Sequence, residues 1–268
     1  MHKNIKKMGS DPSQLDPSQL TSNTVILLVA HGATTETAWR SYRNIERVVK
    51  DAFPLLPVRW AFTAPDTVSQ VIHTIQAEGF SAIAVQPLFV AAGREYNSVL
   101  SSVENNKHMK ISVGRPLLDS VDDLDCFIEA LINVLPLERT TDEAIVLMGH
   151  NNADGCSDRI FNALAGVLKQ RDRLIFTATL KGAPDFDSVR RDLRSCGVKK
   201  AYLMPLMIAA GNHALKDLAG DGEASWRVRL ERDGIECVPV LKGLGEYDSF
   251  ASIFCDILCA VENSTIDE

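Results

Sequence analysis

Two stretches decide how this chain is read: Ile26-Leu-Leu-Val-Ala-His31-Gly32 and Ile145-Val-Leu-Met-Gly-His150. Each is a short apolar run that ends on a histidine. Each is followed, much later, by a second apolar run closing on Ala-Ala-Gly. The first reads Pro87-Leu-Phe-Val-Ala-Ala-Gly93-Arg94-Glu95, and the other reads Pro205-Leu-Met-Ile-Ala-Ala-Gly211-Asn212-His213. From His31 to Glu95 is 64 positions and from His150 to His213 is 63, so the chain carries an internal duplication. In a chain with six histidines, that repeat singles out His150, His213 and Glu95. Two imidazoles and a carboxylate at matching strand ends suit a divalent first-row metal.

Working outward, each half alternates strand and helix. In the first, Val25–Ala30, Val58–Phe62, Ala82–Val90 and Ile111–Val113 read as strands. Thr37–Phe53, Pro65–Glu78, Tyr96–Asn105 and Val121–Leu135 read as helices. The second half has strands at Ile145–Met148, Leu174–Thr179, Ala201–Ile208 and Cys237–Val240. Its helices fall near Ser157–Gln170, Asp185–Ser195, Trp226–Asp233 and Asp248–Glu262. Near-continuous apolar strands imply parallel sheets covered on both faces, and the alternation implies βαβ crossovers. The expected fold is α/β: two similar doubly wound parallel-sheet domains, at 25–138 and 139–268, with a cleft between them. The last helix is free to pack on the first domain. Residues 1–24, with the direct repeat Asp11-Pro-Ser-Gln-Leu15, Asp16-Pro-Ser-Gln-Leu20, read as a disordered leader outside the fold.

Ligands of such sheets sit beyond the carboxyl ends of the strands. His31, Glu95, His150 and His213 all fall there. His150 and His213 are the expected metal pair, since neutral imidazole suits cobalt, nickel, iron and zinc. Glu95 is open to three roles: metal ligand, proton acceptor, or a carboxylate stabilised at a helix N-terminus. His31, the counterpart of His150, reads as a second metal contact, a base, or a residue that merely lines the cleft. His73 and His108 read as surface residues. The polar loops Asn151–Gly155 and Gly220–Gly222 lie near the expected cleft. Neither is a GxGxxG or Walker A pattern, so a nucleotide cofactor has no signature here. No Gly-x-Ser-x-Gly elbow occurs either.

Composition narrows the classes further. With 46% hydrophobic and 24% charged residues, the chain has the makeup of a globular protein with a substantial core. No apolar stretch approaches the roughly 20 residues a bilayer requires. A net charge of −7 argues against a nucleic-acid surface. Six cysteines (Cys126, Cys156, Cys196, Cys237, Cys255, Cys259) contain no CxxC pair, which suits a reduced, cytoplasmic protein. A homo-oligomer remains open.

At these residues the chain resembles the class II tetrapyrrole chelatases, in particular the anaerobic sirohydrochlorin cobaltochelatases of cobalamin biosynthesis. The matching stretches are Leu147-Met-Gly-His150, Leu203-Met-Pro-Leu-Met207, Ala210-Gly-Asn-His213 and Ala61-Phe-Thr63, with Ala224-Ser-Trp226 and Gly243-Leu-Gly-Glu246. They span about Val25 to Glu262. The resemblance implies ATP-independent insertion of Co²⁺, with Fe²⁺ or Ni²⁺ as alternatives, into a metal-free anionic tetrapyrrole such as sirohydrochlorin. By motif match His150 and His213 hold the metal and Glu95 lines the same cleft. Where the family usually has an acidic residue, this chain reads Leu180-Lys181. A protonated lysine is no metal ligand, but Lys181, Arg94, Lys216 and Arg115 are candidate partners for substrate carboxylates. The other reading is a non-catalytic binder of metal or tetrapyrrole. A sugar or phosphate enzyme on the same superfold would rest on fold analogy alone.

Overall fold

The computed structural model describes residues 23–106, 108–150, 155 and 157–263. Residues 1–22 of the expected leader, the Asn151–Asp154 part of one polar loop, and Cys156 lie outside the described residues; the leader was drawn too long, since Thr24 is buried as the first residue of the opening strand. The first half runs β1 (Thr24–Ala30), α1 (Glu36–Ala52), β2 (Val58–Phe62), α2 (Val68–Ala77), β3 (Ala82–Pro87), α3 (Arg94–Glu104), β4 (Lys110–Val113) and α4 (Leu124–Ile132). The second runs β5 (Ala144–Gly149), α5 (Asp158–Arg171), β6 (Ile175–Thr179), α6 (Phe186–Ser195), β7 (Lys200–Leu206), α7 (Trp226–Arg232), β8 (Glu236–Pro239) and α8 (Asp248–Asn263).

The two halves build the same object. Their parallel sheets have orders β2-β1-β3-β4 and β6-β5-β7-β8. All seven residues of β1 and all six of β5 are buried, which explains their unbroken apolar character. Burying each Ile, Leu or Val there contributes about 1.5–3 kcal/mol. In this strand order the chain winds in opposite directions from β1 and β3, and from β5 and β7. Each pair therefore opens a crevice at its carboxyl end. His31 follows β1 and Glu95 follows β3; His150 follows β5 and His213 follows β7.

Helix α1 illustrates how the sequence sets these positions. Thr35 caps it by accepting from the Ala38 amide, Glu36 opens it and Lys50 closes it. Ala38, Ser41, Tyr42, Ile45 and Val49 bury one face, and Pro54 lies just beyond its end.

The last helix of each half reaches toward the other. Helix α8 lies against α1, β3 and β4 of the first half, and α4 touches α5 of the second. The largest apolar cluster accordingly joins Ile26, Leu28 and Ile45 to Ile145, Phe161 and Phe254 without a break.

Three expectations need correction. The third strand stops at Pro87 and not at Val90, because Leu88–Val90 turns out along the crevice wall. The helix read from Pro65 begins at Val68, after a bridge between Thr63 and Asp66. The helix read as Val121–Leu135 is a 3₁₀ turn at Val121–Asp123 followed by α4. A π-helix at His213–Leu218 was not foreseen.

Candidate metal centre

The crevices of the two halves face one another and merge into a cavity of about 530 Å³. His31, Glu95, His150 and His213 all line it. The repeat thus brings all four singled-out residues to one place. Around them the walls are largely apolar, with Leu88–Ala92 from one half and Leu206–Ala209 from the other, joined by the rings of Tyr42 and Tyr96.

The His150 and His213 rings stand 4.8 Å apart between centroids, tilted by 41°. Burial in the cleft pushes the His150 imidazole below its ordinary pKa, and the neighbouring His213 adds to the effect. Lys181 and His31 act in the same direction, while Glu95 opposes them. A neutral imidazole is the form that binds metal. His213 opens the π-helix, and its Nδ1 lies 2.7 Å from Oδ2 of Asp217, four residues on. Donating Nδ1–H to that carboxylate leaves the Nε2 lone pair free, the usual arrangement behind a metal-ligating histidine. Asp217 was missed in the sequence, although a carboxylate four residues after His213 was the available signal. Single π turns recur at functional sites.

Glu95 sits in the first turn of α3, one quarter exposed, with the Arg94 guanidinium 3.7 Å away. Among the described residues no group of three or more His, Cys, Asp or Glu side chains stands close enough to hold a metal ion. Of the expected set, His150 and His213 are in ring contact, and Glu95 lines the same cavity. His31 places Nδ1 3.4 Å from Thr63 Oγ1, at the end of β2.

The cations expected to meet substrate stand outside the cavity lining. Arg94, Lys181, Lys216 and Arg115 are all exposed, and none lines the cavity. Arg115 is engaged with Asp123. The Gly220–Gly222 loop is tied to α7 through Ser225 and Arg227 and also leaves the cavity lining. His73 and His108 are exposed. Two of the family-like motifs prove architectural. Ser225 caps α7 while Trp226 stacks on Phe186 at 4.0 Å, and Gly243 and Gly245 admit α1 against the strand exit that carries His213.

A family model described as cobalt chelatase (CbiK) matches residues 24–263. This chain belongs to the cobalt chelatase family. Among curated relatives, the sirohydrochlorin cobaltochelatase CbiKC of Nitratidesulfovibrio vulgaris is 33% identical over 259 residues, covering 90% of this chain and 92% of the relative. The sirohydrochlorin cobaltochelatase of Salmonella typhimurium is 33% identical over 208 residues, 76% of this chain and 77% of its own. Among solved structures, SirB from Bacillus subtilis with Fe³⁺ superposes with a TM-score of 0.62 at 14% identity. It covers 91% of this chain and 98% of its own, a likeness of fold. As in any chelatase, the metal here is a substrate to be handed on, and no helix among the described residues is long and apolar enough to cross a membrane.

Proposed function

We propose that this cobalt chelatase inserts Co²⁺ into sirohydrochlorin, or a closely related anionic tetrapyrrole, without nucleotide hydrolysis. The observation that carries this reading is the His150–His213 pair, 4.8 Å apart at the mouth of a cleft lined by both halves. Two imidazoles hold a metal while leaving coordination positions open to the pyrrole nitrogens. A closed four-ligand site would keep it.

Insertion replaces two pyrrole N–H protons with the metal, so the cleft needs an acceptor. Among the described residues lining the cavity, Glu95 is the one carboxylate. It takes those protons, with His31 on the same wall as the second base. Apolar walls favour a macrocycle held in the shape that best admits the metal. With Arg94, Lys181 and Lys216 outside the cavity, the substrate's carboxylates point toward the rim and solvent.

Visible absorption tests this directly. Purified protein is mixed with sirohydrochlorin and Co²⁺, Fe²⁺ or Ni²⁺, each against a metal-only control. Several turnovers per chain with Co²⁺, faster than the control, are expected. Tight tetrapyrrole binding without turnover would replace the enzyme with a carrier, and faster Fe²⁺ or Ni²⁺ insertion would change the metal.

A further inference from the structure

The Ala-Ala-Gly segments ahead of Glu95 and His213 are each held from the opposite half. Thr37, in the first turn of α1, donates through Oγ1 to the Ala210 carbonyl at 2.9 Å. Ser157, just before α5, donates through Oγ to the Ala92 carbonyl at 2.5 Å. Ala92 and Ala210 occupy the same place in the duplication. Each is the second alanine of its Ala-Ala-Gly, three residues before Glu95 or His213. Thr37 and Ser157 also correspond, since each belongs to the start of the helix that follows the histidine-ending strand of its half. The two bonds therefore form a reciprocal clasp across the cleft. A third bond supports it: Asn212 Nδ2 donates to Thr34 Oγ1 at 3.2 Å.

The local hydrogen bonding shows that both hydroxyls are directed outward. Ser157 stands at the N-cap of α5, where serine ordinarily caps through its side chain, yet it makes no such bond. Thr37 Oγ1 is also 3.0 Å from Thr35 Oγ1, which already accepts the Ala38 amide. A hydroxyl has one hydrogen to give. With Thr35 donating to Thr37, and Thr37 to the Ala210 carbonyl, every group in the chain of bonds has a partner. The clasped segments offer only methyl groups and a glycine. A directional bond to the backbone carbonyl therefore fixes their placement better than side-chain packing would.

We propose that Thr37 and Ser157 are positioning residues: their hydroxyls set the spacing of the two Ala-Ala-Gly segments, and so place His213 against His150 and Glu95 beside them. The inference rests on the reading of His213 as a metal ligand. Both hydroxyls are directed to backbone carbonyls, so their effect is on how well the ligands are presented. Outer partners of metal ligands typically shift affinity about 10–100-fold.

The test uses the full chain and two readouts, Co²⁺ binding by titration and the kinetics of Co²⁺ insertion. Thr37→Val keeps the shape but removes the donor, and Ser157→Ala does so on the other side. Each is expected to raise the KM for Co²⁺ about tenfold while kcat at saturating metal stays within about threefold. Thr37→Ser and Ser157→Thr, which keep the hydroxyl, are expected to fall within about twofold of the parent. His213→Ala is measured alongside. Unchanged KM in Thr37→Val and Ser157→Ala, with binding lost in His213→Ala, would overturn the clasp alone. Parent-like Co²⁺ binding by His213→Ala would overturn the ligand reading and the clasp with it. A matching loss of melting temperature and kcat that the hydroxyl-keeping variants fail to rescue would make the bonds merely structural, and if Thr37→Val does not fold, Ser157→Ala and Ser157→Thr decide the matter by themselves.

Discussion

A metal bound for a macrocycle has to be gripped and then released, and at the residue scale the proposal gives that task to His150 and His213. Replacing either with alanine removes a ligand from an open cleft and no volume from the core. Insertion is expected to be lost while circular dichroism and melting temperature remain those of the parent. Asp217→Ala is expected to weaken Co²⁺ binding about tenfold, read by titration, because Nδ1 of His213 then has no fixed acceptor. Tyr42 offers a pH test away from the metal. Burial raises its phenol from 10.0 to about 12, and the O–H donates to the Gly32 carbonyl. The unfolded chain ionises first, so the stabilisation is complete below pH 10 and is lost as pH rises toward 12, by at most about 3 kcal/mol. Unfolding at pH 9 and pH 11, followed with the 295 nm phenolate band, checks the sign. At this scale the sequence was most legible where the repeat doubled the signal, at the four cleft residues. It was less legible for Arg94, Lys181 and Lys216, which stand outside the cavity lining, because a charge beside a motif says nothing of which way its side chain faces.

Elements bring these residues together through close backbone approach. Segment 207–212 lies between α1 and the turn at Leu244–Glu246, where Leu244 and Gly245 donate to the carbonyls of Met207 and Ile208. A Cβ on Gly243 would stand 2.5 Å from the Ile208 carbonyl and 2.7 Å from Ser41 Oγ. Gly243→Ala is therefore expected to cost about 1–3 kcal/mol in denaturant unfolding, by overpacking. It should also impair Co²⁺ insertion, since the displaced backbone leads to His213. Strands were readable because burial on both faces leaves unbroken apolar runs, as in Ile26–Ala30. The π-helix was not, since Ala214 and Leu218 share the four-residue spacing of an ordinary helix and only six residues are involved. The early end of β3 at Pro87 was equally hidden: Leu88, Phe89 and Val90 remain apolar because they wall the cavity.

The whole molecule is two copies of one sheet, locked by exchanged helices and a shared core. Because the main apolar cluster runs through β1, α1, β5, α5 and α8, the halves are expected to unfold as one cooperative unit. Trp39 and Trp60 report on the first half and Trp226 on the second. Variants keeping only one set should show coincident urea midpoints, whereas two separated transitions would mean independent domains. A fragment ending at residue 138 lacks α8 against α1 and β3, and is expected to be poorly folded by near-ultraviolet circular dichroism. Apolar runs alternating with helical segments, repeated in both halves, made both sheets legible. How the halves lean on one another was not, because contacts such as Thr37 with Ala210 join residues 173 positions apart and leave no local pattern.

The central claim is that the incoming metal is held between the paired imidazoles. Anomalous diffraction at the cobalt edge, from crystals soaked with Co²⁺, tests it most directly. The account predicts one principal peak bridging His150 and Nε2 of His213, with Asp217 still bonded to Nδ1 and coordination positions open toward the cleft. A principal peak away from both histidines would contradict it.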